Sequence, residues 1–494
     1  MENNLPIHLQ EIVFGSSDKK VSRQISKLEK DGKIRKIAPR IYSSNLTEPV
    51  EEIIQRNLFH ILGKLYPQSL LSHRSAFEYK PTKAGYIFLT YKYTKKVKIP
   101  GVTISFLEGH KPIKGDNPFA GELFVSQKAR AFLENLQSSK RPGPTSKTLT
   151  LPELEEKLEL IIRVNGEDEL NKLRDEAKII APILGMQKEF KHLNKMISAL
   201  LSTHTSDILS SPIASARAFG APYDPTRITL FEELFRELQK MEFKHHPEKN
   251  ISVKSFRNFA FFEAYFSNYI EGTCFEVSEA KQIIETNKPL PTRKNDSHDV
   301  LGTYHLVSNK TEMSITPKTP EDMLKILLYR HKILLSARED KNPGMFKDKN
   351  NFAGETSFVD LTLVRGTLVK SFDCYRALQH PFSKAAYMMF VVNEVHPFLD
   401  GNGRIARVMM NAELTKEGQS KIIIPTVYRD DYTGALKKLT RQEQSDPYIR
   451  MLQRAYDFSE TIYGDDMDEM QEYLKQCSAF SEHTEGKLKI IPRN

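Results

Sequence analysis

Apolar positions recur along this chain with a helical period over most of its length and with a strand-like pattern in its first third. Val21, Ile25 and Leu28 fall at i, i+4 and i+7, one face of a helix. Gly32 follows where a helix can end in a left-handed residue. Ile34, Ile37 and Ile41 then mark a short hairpin, with Pro39 limiting its pairing. Gly85 to Thr94 is aromatic and β-branched, which predicts a strand. Leu151–Val164 and Glu167–Ile180 read as helices, and residues 226–463 are mostly helical by periodicity. Within them Phe259, Phe262, Phe266 and Ile270 share one face, Ser383–Val395 is an apolar helical run, and Arg404–Leu414 resumes a helix after a break. Two stretches interrupt the pattern. Ser138–Thr150 is centred on Pro142-Gly143-Pro144 and can continue neither a helix nor a paired strand. Ser206–Pro225 is rich in Ser, Ala, Gly and Pro, and the main boundary is expected there. The expected organisation is therefore a mainly α chain with an N-terminal α+β module. Its regions are 1–50, 51–137, 151–205, 226–463 and a tail at 464–494, whose acidic run (Asp465, Asp466, Asp468, Glu469) reads as solvated surface.

Composition narrows the class without naming a function. The 494 residues predict about three domains at ~150 residues each. Hydrophobic residues are 39% and charged residues 27%, enough for several packed cores. Cys274, Cys374 and Cys477 are odd in number and far apart, so they predict free thiols in a reducing cytosol. The first residues lack the basic-then-apolar order of a signal peptide, and no apolar run approaches the ~20 residues of a membrane span. A secreted disulfide scaffold, an integral membrane protein and a fibrous repeat are excluded. A cytoplasmic protein with no membrane partner is expected.

Charge changes the picture in one place. The chain carries +9, and Lys19–Arg40 holds nine basic residues against Glu29 and Asp31. Helix, glycine and basic hairpin occur in the order of a winged helix, with Arg23, Lys27 and Lys30 along a flank away from the apolar face. Lys20, Arg23, Lys27, Lys30, Arg35 and Lys36 are the candidate DNA contacts, and a solvated basic helix is the plainer reading. The stretch Ser22–Asn45 (SRQISKLEKDGKIRKIAPRIYSSN), followed by Leu71–Tyr79 (LSHRSAFEY), resembles the N-terminal winged helix of abortive-infection-type antitoxin regulators. The resemblance extends over residues 1–205 as a regulator-like module and implies operator binding.

The chemistry concentrates at His396–Arg407, HPFLDGNGRIAR. Pro397 makes helical continuation costly, and Gly401-Asn402-Gly403 is a loop whose glycines can bring backbone N–H groups against a ligand. A glycine loop leading into a helix N-terminus is a ready anion site. Arg404 and Arg407, at i and i+3, can converge on one polyphosphate. Asp400 is a hard oxygen ligand suited to Mg²⁺, and His396 is a candidate general base.

This segment resembles the signature of the Fic family of nucleotidyl transferases, HPFx(D/N)GNGRxxR, at every specified position. Pro343-Gly344-Met345-Phe346, a flap-like segment Glu355–Thr367 and Arg429–Leu439 (RDDYTGALKKL) also fit, so the resemblance covers roughly 226–463. It implies an all-helical core with one β-hairpin flap that transfers AMP from ATP to a protein hydroxyl. Carried over, His396 deprotonates a Ser, Thr or Tyr hydroxyl, and Asp400 holds Mg²⁺. Gly401, Asn402 and Gly403 stabilise phosphate charge, Arg404 and Arg407 engage the β- and γ-phosphates, and Phe398 anchors the loop. Tyr432 and Leu436 are adenine-pocket candidates, and the flap takes an extended target segment by strand addition. Upstream, Ser267, Glu271 and Gly272 in SNYIEG match the family's inhibitory signature (S/T)xxxE(G/N), which implies that Glu271 pairs with Arg407. An autoinhibited adenylyltransferase is therefore expected. A DNA-binding regulator that senses nucleotide, a different nucleotide donor and removal of AMP stay open, as do self-modification and homo-oligomerisation. The N-terminal module can also be read as a protein-docking element.

Overall fold

The computed structural model describes residue 7 and residues 10–139, 143–201, 208–354 and 356–493. Pro142 of the first expected linker, Ser206 at the start of the second and Glu355 of the expected flap lie outside the described residues. The chain divides into two compact units, Met1–Gly220 and Ala221–Asn494. No helix among the described residues is long and apolar enough to cross a membrane.

The first unit opens with β1 (Ile12–Phe14), a helix at Lys19–Lys30, β2 (Arg35–Ala38) and β3 (Ile41–Ser43), the strands forming an antiparallel sheet in the order β1-β3-β2. The Asp18 carboxylate starts the helix by accepting from the backbone N–H groups of Lys20 (2.8 Å) and Val21 (2.9 Å). Ile25 anchors it on Val13 and Ile34. Gly32 ends it at φ +64°, the left-handed region where a Cβ is costly. Lys20, Arg23, Lys27, Lys30 and Lys36 are exposed, whereas Arg35 is turned inward. The Arg35 guanidinium donates to the Asn45 carbonyl at 2.9 Å and to that of Glu48.

A mixed sheet follows, built from β4 (Leu70–Leu71), β5 (Tyr86–Tyr91), β6 (Lys95–Ile99), β7 (Val102–Glu108), β8 (Asn117–Ala120) and β9 (Leu123–Val125) in the order β6-β7-β5-β4-β9-β8. Ile12, Ile37 and Ile41 share one apolar core with Ile53, Leu58, Leu89 and Phe106, while Val13, Ile25 and Ile34 form a smaller cluster of their own. The helices Leu151–Asn165, Glu167–Leu184 and Gln187–Leu200 bury Leu158, Leu173 and Met196 against Phe132 and Leu133.

The second unit is mainly α. Its centre is a pair of helices, Pro381–Val395 and Asn402–Lys416, buried on nearly all sides because neither has a continuous polar face. Around them pack Pro225–Lys240, Val253–Ile270, Lys294–Val307, Pro320–Leu334, Val364–Ala377, Arg429–Gln442 and Ser445–Ser459. The Glu263 carboxylate locks Val253–Ile270 onto Asn402–Lys416 by accepting from the Asn411 side-chain amide (2.8 Å) and pairing with the buried Lys421 (2.5 Å).

One expectation is corrected here. The hairpin is formed by β10 (Phe352–Ala353) and β11 (Thr356–Ser357), N-terminal to most of the expected Glu355–Thr367 flap. Asp360 instead accepts from the Thr362 N–H (2.9 Å) and starts a 3₁₀ turn, which runs into the Val364–Ala377 helix that buries Val364 and Leu368. Asp465, Asp466, Asp468 and Glu469 are exposed, as expected of a solvated surface, on an ordered helical segment. Asp466 caps the helix Met467–Gln476, whose Met470 and Leu474 are buried, and Phe480 packs its ring 5.1 Å from that of Phe266.

Candidate active site

The motif sits between the two central helices. His396 ends Pro381–Val395 in the left-handed region at φ 52°, which turns the chain into the loop. The Asn402 side chain closes that loop by accepting from the Phe398 N–H (2.9 Å) and donating to the Phe398 carbonyl (2.9 Å). Phe398 is fully buried and stacks on His331, ring centroids 3.8 Å apart. His331 accepts at Nδ1 from the Gly344 N–H (3.0 Å), so its proton lies on Nε2, which donates to the Asp400 carbonyl (3.2 Å). Burial pushes His331 down to about 4, which keeps it neutral in this role.

The His396 ring stacks on Phe358 at 3.7 Å. Its Nδ1–H donates to the Asn393 carbonyl (3.2 Å), which leaves Nε2 as the acceptor nitrogen. Burial pushes the imidazole down to about 4, so it is neutral at pH 7 and able to take a proton. Lys347 is buried beside the loop. Its backbone N–H donates to the Pro397 carbonyl (2.8 Å) and its amine to the Asn351 side chain (2.9 Å), and burial lowers that amine to about 8.

The two motif arginines face opposite partners. Arg407, 4% exposed, donates from Nε to the Ser267 hydroxyl (2.9 Å) and from Nη2 to the Ser267 carbonyl (2.8 Å). The same Nη2 meets the Glu271 carboxylate at 2.7 Å, and Nη1 donates to the Tyr432 hydroxyl (3.3 Å). Arg404 pairs through Nη1 with Asp299 (3.0 Å) and through Nη2 with Asp400 (3.3 Å). Gly403 lies directly under Glu271, and a Cβ there would sit 2.2 Å from the carboxylate oxygen. Gly401 has φ +76° and caps the Asn402–Lys416 helix.

The structure thus brings His396, Asp400, Gly401, Asn402, Gly403, Arg404, Arg407, Tyr432, Ser267 and Glu271 together. Leu436 is half-buried on the same helix as Tyr432. Asn268, from within the SNYIEG stretch, and Phe358, from within the expected flap, join them, as do Asp299, His331 and Lys347, which carry no local sequence signal because each belongs to a different element. The basic residues of Lys19–Lys30 lie in the other unit.

Residues 322–414 match the Fic/DOC family. The motif loop His396–Arg407 lies inside that matched stretch. Over 227 residues it is 26% identical to the protein adenylyltransferase Fic of Drosophila persimilis, covering 44% of this chain and 44% of that one. Over 317 residues it is 25% identical to the same-named protein of Drosophila grimshawi, covering 60% of this chain and 64% of that one. The match therefore spans less than two thirds of these curated relatives. A solved Fic-1 segment from C. elegans is 17% identical over 67% of this chain and 89% of that one, with a TM-score of 0.36. Ser267, Glu271, Asp299 and Tyr432 of the site lie outside the stretch that matches the Fic/DOC family.

Proposed function

We propose that this chain is a protein adenylyltransferase whose own Glu271 holds it inactive. One observation carries the reading: Arg407 is captured by Ser267 and Glu271, with the carboxylate resting on Gly403 of the anion loop. The name of the Drosophila relatives supports AMP as the transferred group and ATP as its source.

In the reaction, His396 Nε2 takes the proton of a target Ser, Thr or Tyr hydroxyl. That oxygen bonds to the α-phosphorus, the bond from the α-phosphorus to the bridging oxygen breaks, and pyrophosphate leaves. The N–H groups at the start of the Asn402–Lys416 helix face the phosphate oxygens, and Arg404 and Arg407 hold the β- and γ-phosphates. While Glu271 occupies Arg407, the phosphates lack one of their two guanidinium partners. Asp400 is a half-exposed carboxylate at the loop, and no group of three or more His, Cys, Asp or Glu side chains among the described residues could hold a metal by itself. One carboxylate plus substrate phosphates is a donor set that suits Mg²⁺, so Asp400 would hold it. When bound, Mg²⁺ neutralises phosphate charge. The β10–β11 hairpin, with Phe352 exposed, offers an edge to an extended target segment, self-modification included.

The test compares variants in AMP transfer from α-labelled ATP with Mg²⁺ and a cell lysate. Replacing one charge-assisted contact of about 1.5–3 kcal/mol predicts that Glu271→Gly raises labelling about tenfold or more. His396→Ala in that background lowers it by at least about 10²-fold. Labelling by Glu271→Gly that does not exceed the His396→Ala background sinks the reading.

The first unit supports a second, compatible role as a DNA-binding regulator with a winged-helix head. Lys20, Arg23, Lys27, Lys30 and Lys36 are exposed on one helix and its hairpin, while Arg35 serves the fold. Duplex binding should weaken steeply with salt, and more so for the wild type than for an Arg23→Ala/Lys27→Ala variant. Binding that ignores both salt and these substitutions excludes it.

A further inference from the structure

The carboxylate of Asp299 is buried between two guanidinium groups, and only one of them belongs to the motif. It is 6% exposed and sits on the Lys294–Val307 helix. It accepts from Arg404 Nη1 at 3.0 Å and from Arg338 Nη1 at 3.2 Å. Arg404 is itself 3% exposed, and its Nε has no hydrogen-bond partner, so its direction is set through its terminal nitrogens. At Nη1 the other contact is the Asn268 side-chain oxygen at 3.5 Å, too long to fix an orientation. Nη2 meets Asp400 at 3.3 Å, the residue assigned to magnesium. Asp299 is held in turn, because its carbonyl accepts from the Thr303 hydroxyl (2.8 Å), which also accepts from the Asn268 amide (3.0 Å).

We infer that Asp299 is a positioning residue for nucleotide phosphates, aiming the Arg404 guanidinium at the anion loop. This rests on the adenylyltransferase reading for the identity of the ligand. The physical reason is that a buried guanidinium with one strong carboxylate partner takes its orientation from that partner. Neutralising Asp299 leaves the Arg404 guanidinium with only the longer Asp400 and Asn268 contacts to orient it against the phosphates. An ordinary structural ion pair predicts something different, namely equal loss of binding for every nucleotide.

The experiment titrates ATP and AMP, each with Mg²⁺, into the Glu271→Gly protein with and without Asp299→Asn, by calorimetry. Loss of one charge-assisted contact should raise the Kd for ATP about tenfold and leave that for AMP within about twofold. With Arg404→Gln already present, Asp299→Asn should have no further effect on ATP, since the two act as one unit. Equal losses for ATP and AMP, or additive losses with Arg404→Gln, overturn the inference while leaving the transferase reading intact. If Glu271→Gly favours ATP over AMP in the Asp299-dependent way but transfers no AMP, the transferase reading falls and this one stands. If it binds ATP no more tightly than AMP, both fall. Should circular dichroism find the Asn variant unfolded, Asp299→Glu keeps the charge but moves it by one methylene. It carries the same comparison, with the same outcomes.

Discussion

Gly302 shows how a single residue sets the distance between two helices that carry the site. A Cβ on it would lie 2.2 Å from the Leu334 carbonyl oxygen and 2.9 Å from the carbonyl carbon, atoms of backbone that cannot swing aside. Gly302→Ala must push the Lys294–Val307 and Pro320–Leu334 helices apart, and overpacking of this kind costs about 1–3 kcal/mol. A urea midpoint lowered with an unchanged m-value checks it, and an unchanged midpoint refutes it. Gly403 is the contrasting case. Its absent Cβ leaves room for a carboxylate that is the far end of the Glu271 side chain and can move. Gly403 is marked in the sequence as a loop glycine and Gly302 is not, yet neither neighbour can be read there. Only the neighbour's identity, backbone in one case and a mobile carboxylate in the other, decides what each tolerates. His396 is similar. A histidine before Pro397 is visible in the sequence, but its neutral state depends on burial beneath Phe358 and on the Asn393 carbonyl that fixes its tautomer.

Among elements, the helices with a strong period were the legible ones. Val253–Ile270, Pro381–Val395 and Asn402–Lys416 appear where the apolar spacing puts them, because their burial on one or all sides is written in consecutive residues. The hairpin was misplaced. Val359 to Val364 contains β-branched and apolar residues that suit either a strand or a buried helix start, and the Asp360 cap decided for the helix. The strands β10 and β11 have only two residues each, too few for alternation to show. The acidic run after residue 464 is solvated, as its adjacent charges imply, but the helix it opens was not legible. In the structure Asp466 caps a helix, and that helix buries its other face. Charge runs and helix caps look alike until the chain direction at that point is known.

At the scale of the molecule, the two units should respond differently to acid. His73, in the first unit, is pushed down to about 4 by burial, from an ordinary 6.5. Unfolding lets it take up a proton. Its contribution to stability is complete above pH 6.5 and is lost as the pH falls through about 4, at about 1.4 kcal/mol per pH unit. Glu11, held below its usual range by Arg56, has the same sign at lower pH. In the second unit His331 and His396 act likewise, but Glu413 opposes them. Burial pushes it up to about 7 from 4.5, so its contribution is complete below 4.5 and is lost as the pH rises through about 7. Glu263, Glu394 and Asp299 are raised by burial too. Between pH 7 and 5, amide protection in Ala221–Asn494, corrected for the intrinsic exchange rate, should therefore fall further in a Glu413→Gln variant than in the wild type, and equal losses would refute the assignment. The sequence by itself determined what is contiguous: the helical pattern, the basic segment at Lys19–Arg40, and the loop with its histidine, glycines and arginines. Those depend on neighbours within a few residues, and periodicity and spacing report such neighbours directly. The tertiary structure decided which carboxylate meets which arginine. Glu271 and Arg407 are 136 positions apart, and Asp299 reaches Arg404 from a third helix, so only the packing of helices brings those charges into one buried space.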